Sequence, residues 1–402
     1  MNSLQYMFAA VEAVLLFVVG YLYLLALASV WPQKRTRSVL SPRTKFAVIV
    51  PAHNEVDLIH RTVSSIENQE YPHRLFDTFV IADNCTDETV AVVRQSNATC
   101  LERWDSERRG KGWVLRWAFQ RLDERNVQPD AFVIVDADSV LAPEFLRIMD
   151  NKIQGGAKVL QGYYDVLHPE SSITGSLSYF GFALSRYLRY MGRTRLGWSS
   201  NLLGNGMCFR RDIIQQFGWP ATSIVEDLEY GIMLLLQDVR VRFVPEAKVF
   251  AEIPGSFRLS RTQRVRWDLG RFAVRNMYLV KLLKAAIRRR DGAFLDAALE
   301  LVIPPFSLFM AITAGFFIFF LGVSFRGTDA LFSLWLVIVG SLFIYILIGL
   351  VMAKGSVRMY KNLIYAPYFL LWRVFIAVTG AATQENKDWR KTKRGNVRES
   401  AH

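Results

Sequence analysis

Ala131-Phe132-Val133-Ile134-Val135-Asp136-Ala137-Asp138 is the stretch on which the reading of this chain turns. Five apolar residues in a row read as a buried strand. The two carboxylates then sit at its carboxyl end, where ligands bind in open α/β sheets. Close carboxylates repel each other unless a cation or a proton intervenes. Their hard oxygens suit Mg²⁺ or Mn²⁺, ions that take one or two carboxylates and fill the remaining positions with phosphate oxygens and water.

Strand and helix signals alternate around this stretch. Phe46 to Val50 reads as a strand that runs into Pro51-Ala52-His53-Asn54-Glu55, with a helical pattern to about Asn68. Phe76 to Ala82 reads as a second strand, followed by Asp83-Asn84-Cys85-Thr86-Asp87. A further helix leads to a short strand near Cys100-Leu101-Glu102, and Gly110-Lys111-Gly112 opens a helix through Leu122. This βαβα order predicts a parallel, doubly wound sheet. Three strand ends with polar, carboxylate-bearing turns mark a nucleotide-type crevice. Neither G-x-G-x-x-G nor G-x-x-x-x-G-K-[ST] occurs, so neither a dinucleotide fold nor a P-loop is indicated. Further on, Glu226-Asp227 precedes a helix expected over Leu228 to Leu236. Gln263, Arg266 and Trp267 lie in a basic amphipathic stretch over about 257–290.

Half of the 402 residues are apolar (51%), and they concentrate at the two ends. Residues 7–31, 301–323 and 331–352 are each long enough to cross a bilayer, which takes about 20 residues. A cleaved signal peptide ending at Ala26-Leu27-Ala28 is disfavoured for 7–31. No basic region precedes the run, and it is longer than a secretory apolar core. Lys34, Arg35, Arg37, Arg43 and Lys45 follow it, so the positive-inside rule puts the amino terminus outside and the middle of the chain in the cytosol. The loop near Arg326 is then external, and Lys354, Arg358 and Lys361 mark a second cytosolic flank. Segment 363–382 carries Pro367 and Arg373 and precedes the basic run Lys387 to Arg394. It is read as interfacial or re-entrant with a cytosolic tail.

The formal net charge of +13 is read as attraction to anionic lipid headgroups, because no nucleic-acid-binding motif is present. Cys85, Cys100 and Cys208 have neither metal spacing nor a disulfide framework. Asn84-Cys85-Thr86 and Asn97-Ala98-Thr99 fit the glycosylation sequon, which a cytosolic domain never presents to the machinery.

Taken in order, Pro51-Ala52-His53-Asn54-Glu55, Asp83, Lys111, Asp136-Ala137-Asp138, Glu226-Asp227 and Gln263-x-x-Arg266-Trp267 resemble the membrane-bound family 2 glycosyltransferases. That group includes cellulose, hyaluronan, chitin-oligosaccharide and poly-N-acetylglucosamine synthases. The resemblance covers roughly 44–290 and implies an α/β GT-A (Rossmann-like) cytosolic domain, a nucleotide-diphosphate sugar donor, usually UDP-linked, and inversion at the anomeric carbon. It implies that Asp83 contacts the nucleoside, with Ala52 and Glu55 lining its pocket, that Lys111 reaches the nucleotide and that Asp136 lies near it. Asp138 would hold Mg²⁺ or Mn²⁺ on the diphosphate. Asp227 matches the general base. Gln263, Arg266 and Trp267 match the motif that holds the acceptor end and the diphosphate, and Gly204-Asn205-Gly206 resembles an acceptor-side loop. No clear counterpart of the cellulose synthase gating loop follows Trp267, and Val225 stands where cellulose synthases have threonine.

The expected organisation is an N-terminal transmembrane helix and basic linker (1–43), the GT-A domain (44–256), an amphipathic interfacial region (257–300), two transmembrane helices (301–352), and an interfacial segment with a basic tail (353–402). The expected activity is a metal-dependent hexosyl transfer at the bacterial inner membrane, onto a growing β-linked oligo- or polysaccharide. The alternatives are one sugar placed on a lipid acceptor, or a non-catalytic scaffold or transporter. The expected partners are a nucleotide-diphosphate sugar, a carbohydrate or glycolipid acceptor and membrane lipids, with an export partner or a second copy allowed and nucleic acid not expected.

Overall fold

The computed structural model describes residues 3–32, 40–323 and 329–382. Its centre is an eight-stranded sheet of β1 (Phe46–Ala52), β2 (Phe76–Asp83), β3 (Thr99–Arg103), β4 (Ala131–Ile134), β5 (Ser139–Leu141), β6 (Val159–Val166), β7 (Met207–Arg210) and β8 (Val241–Ala251). The spatial order is β3-β2-β1-β4-β7-β6-β8-β5. β1 to β4 are parallel, as predicted. β7 runs antiparallel to both β4 and β6, and β5 runs antiparallel to β8. The wholly parallel sheet is therefore corrected to a mixed one. The Ala131–Ile134 strand pairs on its other side with a segment that arrives from the opposite direction.

Successive side chains of a strand point to opposite faces, and β1 divides accordingly. Phe46, Val48, Val50 and Ala52 join the core under the Ile59–Glu67 and Phe145–Gln154 helices. Ala47 and Ile49 join the opposite core under the Lys111–Glu124 and Glu226–Leu236 helices. Coverage of both faces leaves the carboxyl edge of the parallel half as the place where polar loops gather.

A 33-residue basic helix, Phe257–Arg289, follows the sheet. Gly270 lies where a Cβ would press on Val225 and Ile224, so the helix backbone packs directly beside the Glu226–Leu236 helix. The expected span over 301–323 is corrected. Pro304-Pro305 cannot continue a helix, and the chain breaks into Gly292–Val302 and Phe306–Val323, bent by 65°. Gln5–Val30, Leu331–Ala353 and Val357–Gly380 are each long and apolar enough to cross a membrane, and the bent pair would make a fourth span. Val357–Gly380 is thus long and apolar enough to span, against the interfacial reading of 363–382 drawn from Pro367, Arg373 and the basic tail. Yet it also runs beside the basic helix: Phe257 stacks against Tyr368 and Trp372, and Val265 meets Gly380. The turn after Ala353 packs on the sheet domain, with the Tyr179 hydroxyl donating to the Ala353 carbonyl and Asn362 Nδ2 donating to Ser176 Oγ at 2.9 Å. The loop at Arg326 and the basic tail lie outside the described residues.

The first helix (Ser3–Val30) is tied to the rest by buried charge. Tyr21 donates to Asp296 Oδ1 at 2.6 Å, and Arg193 Nη2 donates to the Tyr21 hydroxyl at 2.9 Å. Arg193 also pairs with Asp296 at 2.9 Å and Glu300 at 2.5 Å. Glu300 takes Arg189 as well, and Arg271 lies 3.5 Å away. Beside this group Gly192 faces the backbone of Leu25 so closely that a Cβ there would overlap the Leu25 carbonyl.

Candidate active site

The polar loops open onto one cleft of about 680 Å³. Its wall includes Glu55, Lys111, Asp136, Asp138, Gly204, Asp227, Gln263, Arg266 and Trp267, residues spread over more than two hundred positions of sequence. Ala52 and Asp83, expected in the nucleoside pocket, do not line it. Ala52 is fully buried on β1. Asp83 is buried because Arg103 Nη1 donates to its Oδ1 at 2.5 Å, and Arg103 also reaches Asp105 at 2.9 Å. The backbone carbonyl of Asp83 instead accepts from His53 Nδ1 at 2.7 Å, and His53 is on the cleft wall.

Lys111 opens its helix immediately after Gly110, whose φ of +114° suits glycine. Its ammonium pairs with Asp136 and donates to the Gly204 carbonyl at 2.5 Å. One cation thereby joins the end of β4 to the loop before β7. Asn205 makes the second tie. Its Oδ1 accepts from the Asp136 N–H at 3.2 Å, and its Nδ2 donates to Ser139 Oγ at 2.8 Å, which in turn donates to Asp138 Oδ1 at 3.0 Å. Gln161 on β6 holds the same loop, donating to the Asn205 carbonyl at 2.7 Å and accepting from the Leu203 N–H at 2.8 Å. Gly204, at φ +78°, is the crowded point. A Cβ there would lie 3.1 Å from Asp227 Oδ2 and 3.5 Å from Lys111 Nζ.

Glu226 and Asp227 form the first turn of their helix rather than preceding it. The partial positive charge of a helix N-terminus favours acids there. Burial nevertheless pushes both carboxyls up, Glu226 to about 8 with repulsion from Asp227 added. Asp227 has compensating partners: the Leu228 N–H donates to its Oδ1 at 2.8 Å, and the Lys111 charge is near. Of the two, Asp227 has the better-compensated charge. Burial would lower the Lys111 ammonium, but Asp136, Glu226 and Asp227 outweigh it and raise it. Burial lowers Arg266, and the same three acids pull against it, which locates its guanidinium on their side of the cleft.

Asp136 and Asp138 both line the cleft, Asp136 already paired with Lys111. Among the described residues no three His, Cys, Asp or Glu groups converge into a protein-only cage. An ion at Asp138 would complete its shell with phosphate oxygens and water, the habit of Mg²⁺. Asn205, Gln161, Ser139, His53 and Arg103 received no role from the sequence. His53 and Asn205 lie within motifs quoted from the sequence, but neither had a role of its own there.

Past Asp227 the wall changes character. It continues through Phe180, Phe306, Met310, Ile346, Leu350 and Phe369, side chains of the apolar helices and their neighbours. The outer faces of those helices expose aliphatic side chains such as Ile318, Val351, Leu371 and Val378.

Comparison with known proteins follows the same outline. The chain is 24% identical over 262 residues to a probable glycosyltransferase, YdaM, of Bacillus subtilis, covering 61% of this chain and 59% of that protein. It is 23% identical over 211 residues to the β-monoglucosyldiacylglycerol synthase of a Nostoc species, covering 50% of this chain and 43% of that one. The chain thus spans about half the length of these curated relatives. Among solved structures, the mannosyltransferase PcManGT from Pyrobaculum calidifontis, in complex with GDP-Man and Mn²⁺, superposes with a TM-score of 0.55 at 17% identity, over 94% of this chain and 96% of that one. That likeness shows the GT-A fold. The profile of the family described as "Glycosyltransferase like family 2" matches residues 42–270. More than half of the sequence is thereby accounted for, from the lead-in to β1 to the middle of the basic helix, and the chain belongs to glycosyltransferase family 2.

Proposed function

We propose that this protein is an inverting, membrane-associated glycosyltransferase that moves a sugar from a nucleotide-diphosphate sugar onto a hydroxyl of a lipid. One observation carries the reading: the cleft that holds Asp138 and Asp227 runs without interruption into the apolar helices. A hydroxyl on a lipid anchored among Phe306, Met310, Ile346 and Leu350 would reach Asp227 from the membrane side. The name of the Nostoc relative, a synthase of a glucosylated diacylglycerol, supports a lipid acceptor. The polymer expected from the sequence has no comparable structural support.

In this reading the donor lies over Asp136 and Asp138, with its diphosphate toward Lys111 and Arg266. A divalent ion held by Asp138 would supply charge neutralisation for the leaving diphosphate. Asp227 accepts the proton of the acceptor hydroxyl. The freed oxygen bonds to the anomeric carbon from the face opposite the diphosphate. The bond from that carbon to the phosphate oxygen breaks, and the electron pair leaves with the nucleoside diphosphate. Arg266 and Lys111 are fixed cations where that charge grows. Trp267, 37% exposed on the cleft wall, presents an indole face for the incoming group. The sheet domain is cytosolic in this scheme, because the nucleotide sugar is supplied there.

The test uses the full chain in lipid nanodiscs with labelled UDP-Glc, UDP-GlcNAc, UDP-Gal, UDP-GlcA or GDP-Man and a total lipid extract. Label is expected in an organic-phase product carrying one sugar. Label found only in a water-soluble polymer would overturn the lipid acceptor.

A further inference from the structure

Among the described residues, no carboxylate forms an ion pair with the buried Arg186. It lies in the π-helical turn Leu184–Tyr190, and wide turns of this kind occur often at functional sites. The side chain is 3% exposed and lines the cleft. Its guanidinium carbon sits 3.8 Å from the Phe182 ring centroid, with Tyr164 at 5.2 Å and Tyr163 at 5.7 Å. Nε and Nη1 are buried and have no hydrogen-bond partner. Three aromatic rings hold the group in place but satisfy none of those donors.

The neighbouring charges do not resolve this. Arg189, one turn on, is taken by Glu300. Asp165 is the carboxylate within electrostatic range of Arg186. Its Oδ1 accepts from the Val166 N–H at 2.9 Å, Lys248 also acts on it, and burial raises its carboxyl toward the neutral form. Tyr163 and Tyr187 face the same region, and burial raises both phenols, keeping them neutral. Burying an ion without a partner is unfavourable, and a guanidinium presents a fork that matches phosphate oxygens. Arg264 stands on the same cleft wall, donating to Ser178 Oγ at 3.1 Å and lying 5.1 Å from the Phe369 ring.

We propose that Arg186 is the phosphate-binding group of an acceptor subsite, so that the lipid glycosylated here carries a phosphate. The inference rests on the lipid-acceptor reading and narrows it. Apolar chains occupy the membrane end of the cleft, the phosphate sits on Arg186, and a hydroxyl extends toward Asp227. The donor's diphosphate has its own cations in Lys111 and Arg266.

The experiment compares two lipids that differ only in the phosphate, dioleoyl phosphatidic acid and dioleoylglycerol. Binding to the purified full chain in a neutral detergent is measured with radiolabelled lipid. The expected result is at least tenfold tighter binding of phosphatidic acid, reduced to threefold or less in R186Q, with UDP affinity unchanged. Equal binding of the two lipids by the wild-type protein overturns the proposal, as does a preference that survives R186Q. A parallel fall in UDP affinity overturns it too, because Arg186 would then serve the donor. Displacement of phosphatidic acid by millimolar inorganic phosphate as effective as by the lipid itself would make this a free-phosphate site and overturn the lipid assignment. Should R186Q fail to fold, R186K supplies the comparison, and an undiminished preference in it counts against the fork. Sugar transfer to dioleoylglycerol that R186Q leaves intact removes this inference while keeping the lipid acceptor. Transfer to no lipid at all removes the underlying reading.

Discussion

Replacing Gly204 by alanine tests the site at its tightest joint. At φ +78° a residue with a Cβ pays for the left-handed backbone, about 1–2 kcal/mol. The new methyl would stand 3.1 Å from Asp227 Oδ2, where ordinary contact begins at 3.4 Å, so the carboxylate must retreat by about 0.3 Å. Misplacing a reacting group by about 1 Å costs on the order of 10²-fold in rate. If the penalty scales evenly with distance, 0.3 Å costs about fourfold. Lys111, 3.5 Å from the same methyl, is at ordinary contact and adds no further strain. Gly197 is the matched control: its φ is +72° and nothing lies within 4 Å of its Cβ position. Gly204→Ala and Gly197→Ala should therefore lose similar stability in urea titration. Only Gly204→Ala should lose kcat, with the affinity for nucleoside diphosphate nearly unchanged. Equal kcat in the two variants would refute the claim that Asp227 is positioned against this loop.

Three other outcomes follow from the same geometry. Asp138→Asn should abolish transfer while folding normally, and EDTA should abolish wild-type transfer until Mn²⁺ or Mg²⁺ is returned; full turnover in EDTA would remove the metal from Asp138. Asp227→Asn should cut kcat by about 10²–10⁴-fold with donor binding intact. Because burial raises the Asp227 carboxyl and the base must be ionised, wild-type activity should fall as pH drops, with its midpoint above the ordinary aspartate range. Full activity at about pH 4, near the unperturbed aspartate value, would contradict that assignment. Trp267→Ala should reduce transfer roughly ten- to hundredfold, by analogy with aromatic stacking on bases worth about 1–3 kcal/mol, while membrane association holds. Loss of membrane association ahead of transfer would instead mark Trp267 as an interfacial anchor.

The legible part of this fold is the part written in short range. β1, β2 and β4 announce themselves as apolar runs closed by polar turns, and Glu55, Lys111, Asp136, Asp138, Gly204, Asp227, Gln263, Arg266 and Trp267 do line one cleft. The mixed half of the sheet was not legible. β7 is only four residues long, and nothing within Met207–Arg210 states whether it will meet β4 head-on or alongside. The retreat of Asp83 from the cleft depends on Arg103, twenty residues on, and both side chains look like free charges in sequence. Pro304-Pro305 was visible, but hydropathy averaged across it and returned a straight span. Arg186 offered least of all, since an arginine in a Tyr-rich helix carries no sign that its donors will be buried.

Arg193 also sets a limit on how this protein can be taken apart. It is fully buried, and Tyr21 of the first helix is one of its hydrogen-bond partners. The first helix also lies against Gly192 with no room for a side chain between them. Deleting residues 3–30 would therefore do more than release an enzyme from its tether. It would open the guanidinium and its two acids to water on one side and uncover the apolar floor around Leu188 and Tyr345. The helix behaves as a wall of the enzyme that happens to be made of membrane-compatible residues. The first helix and the buried charge cluster around Arg193 are then set against each other by the fold itself.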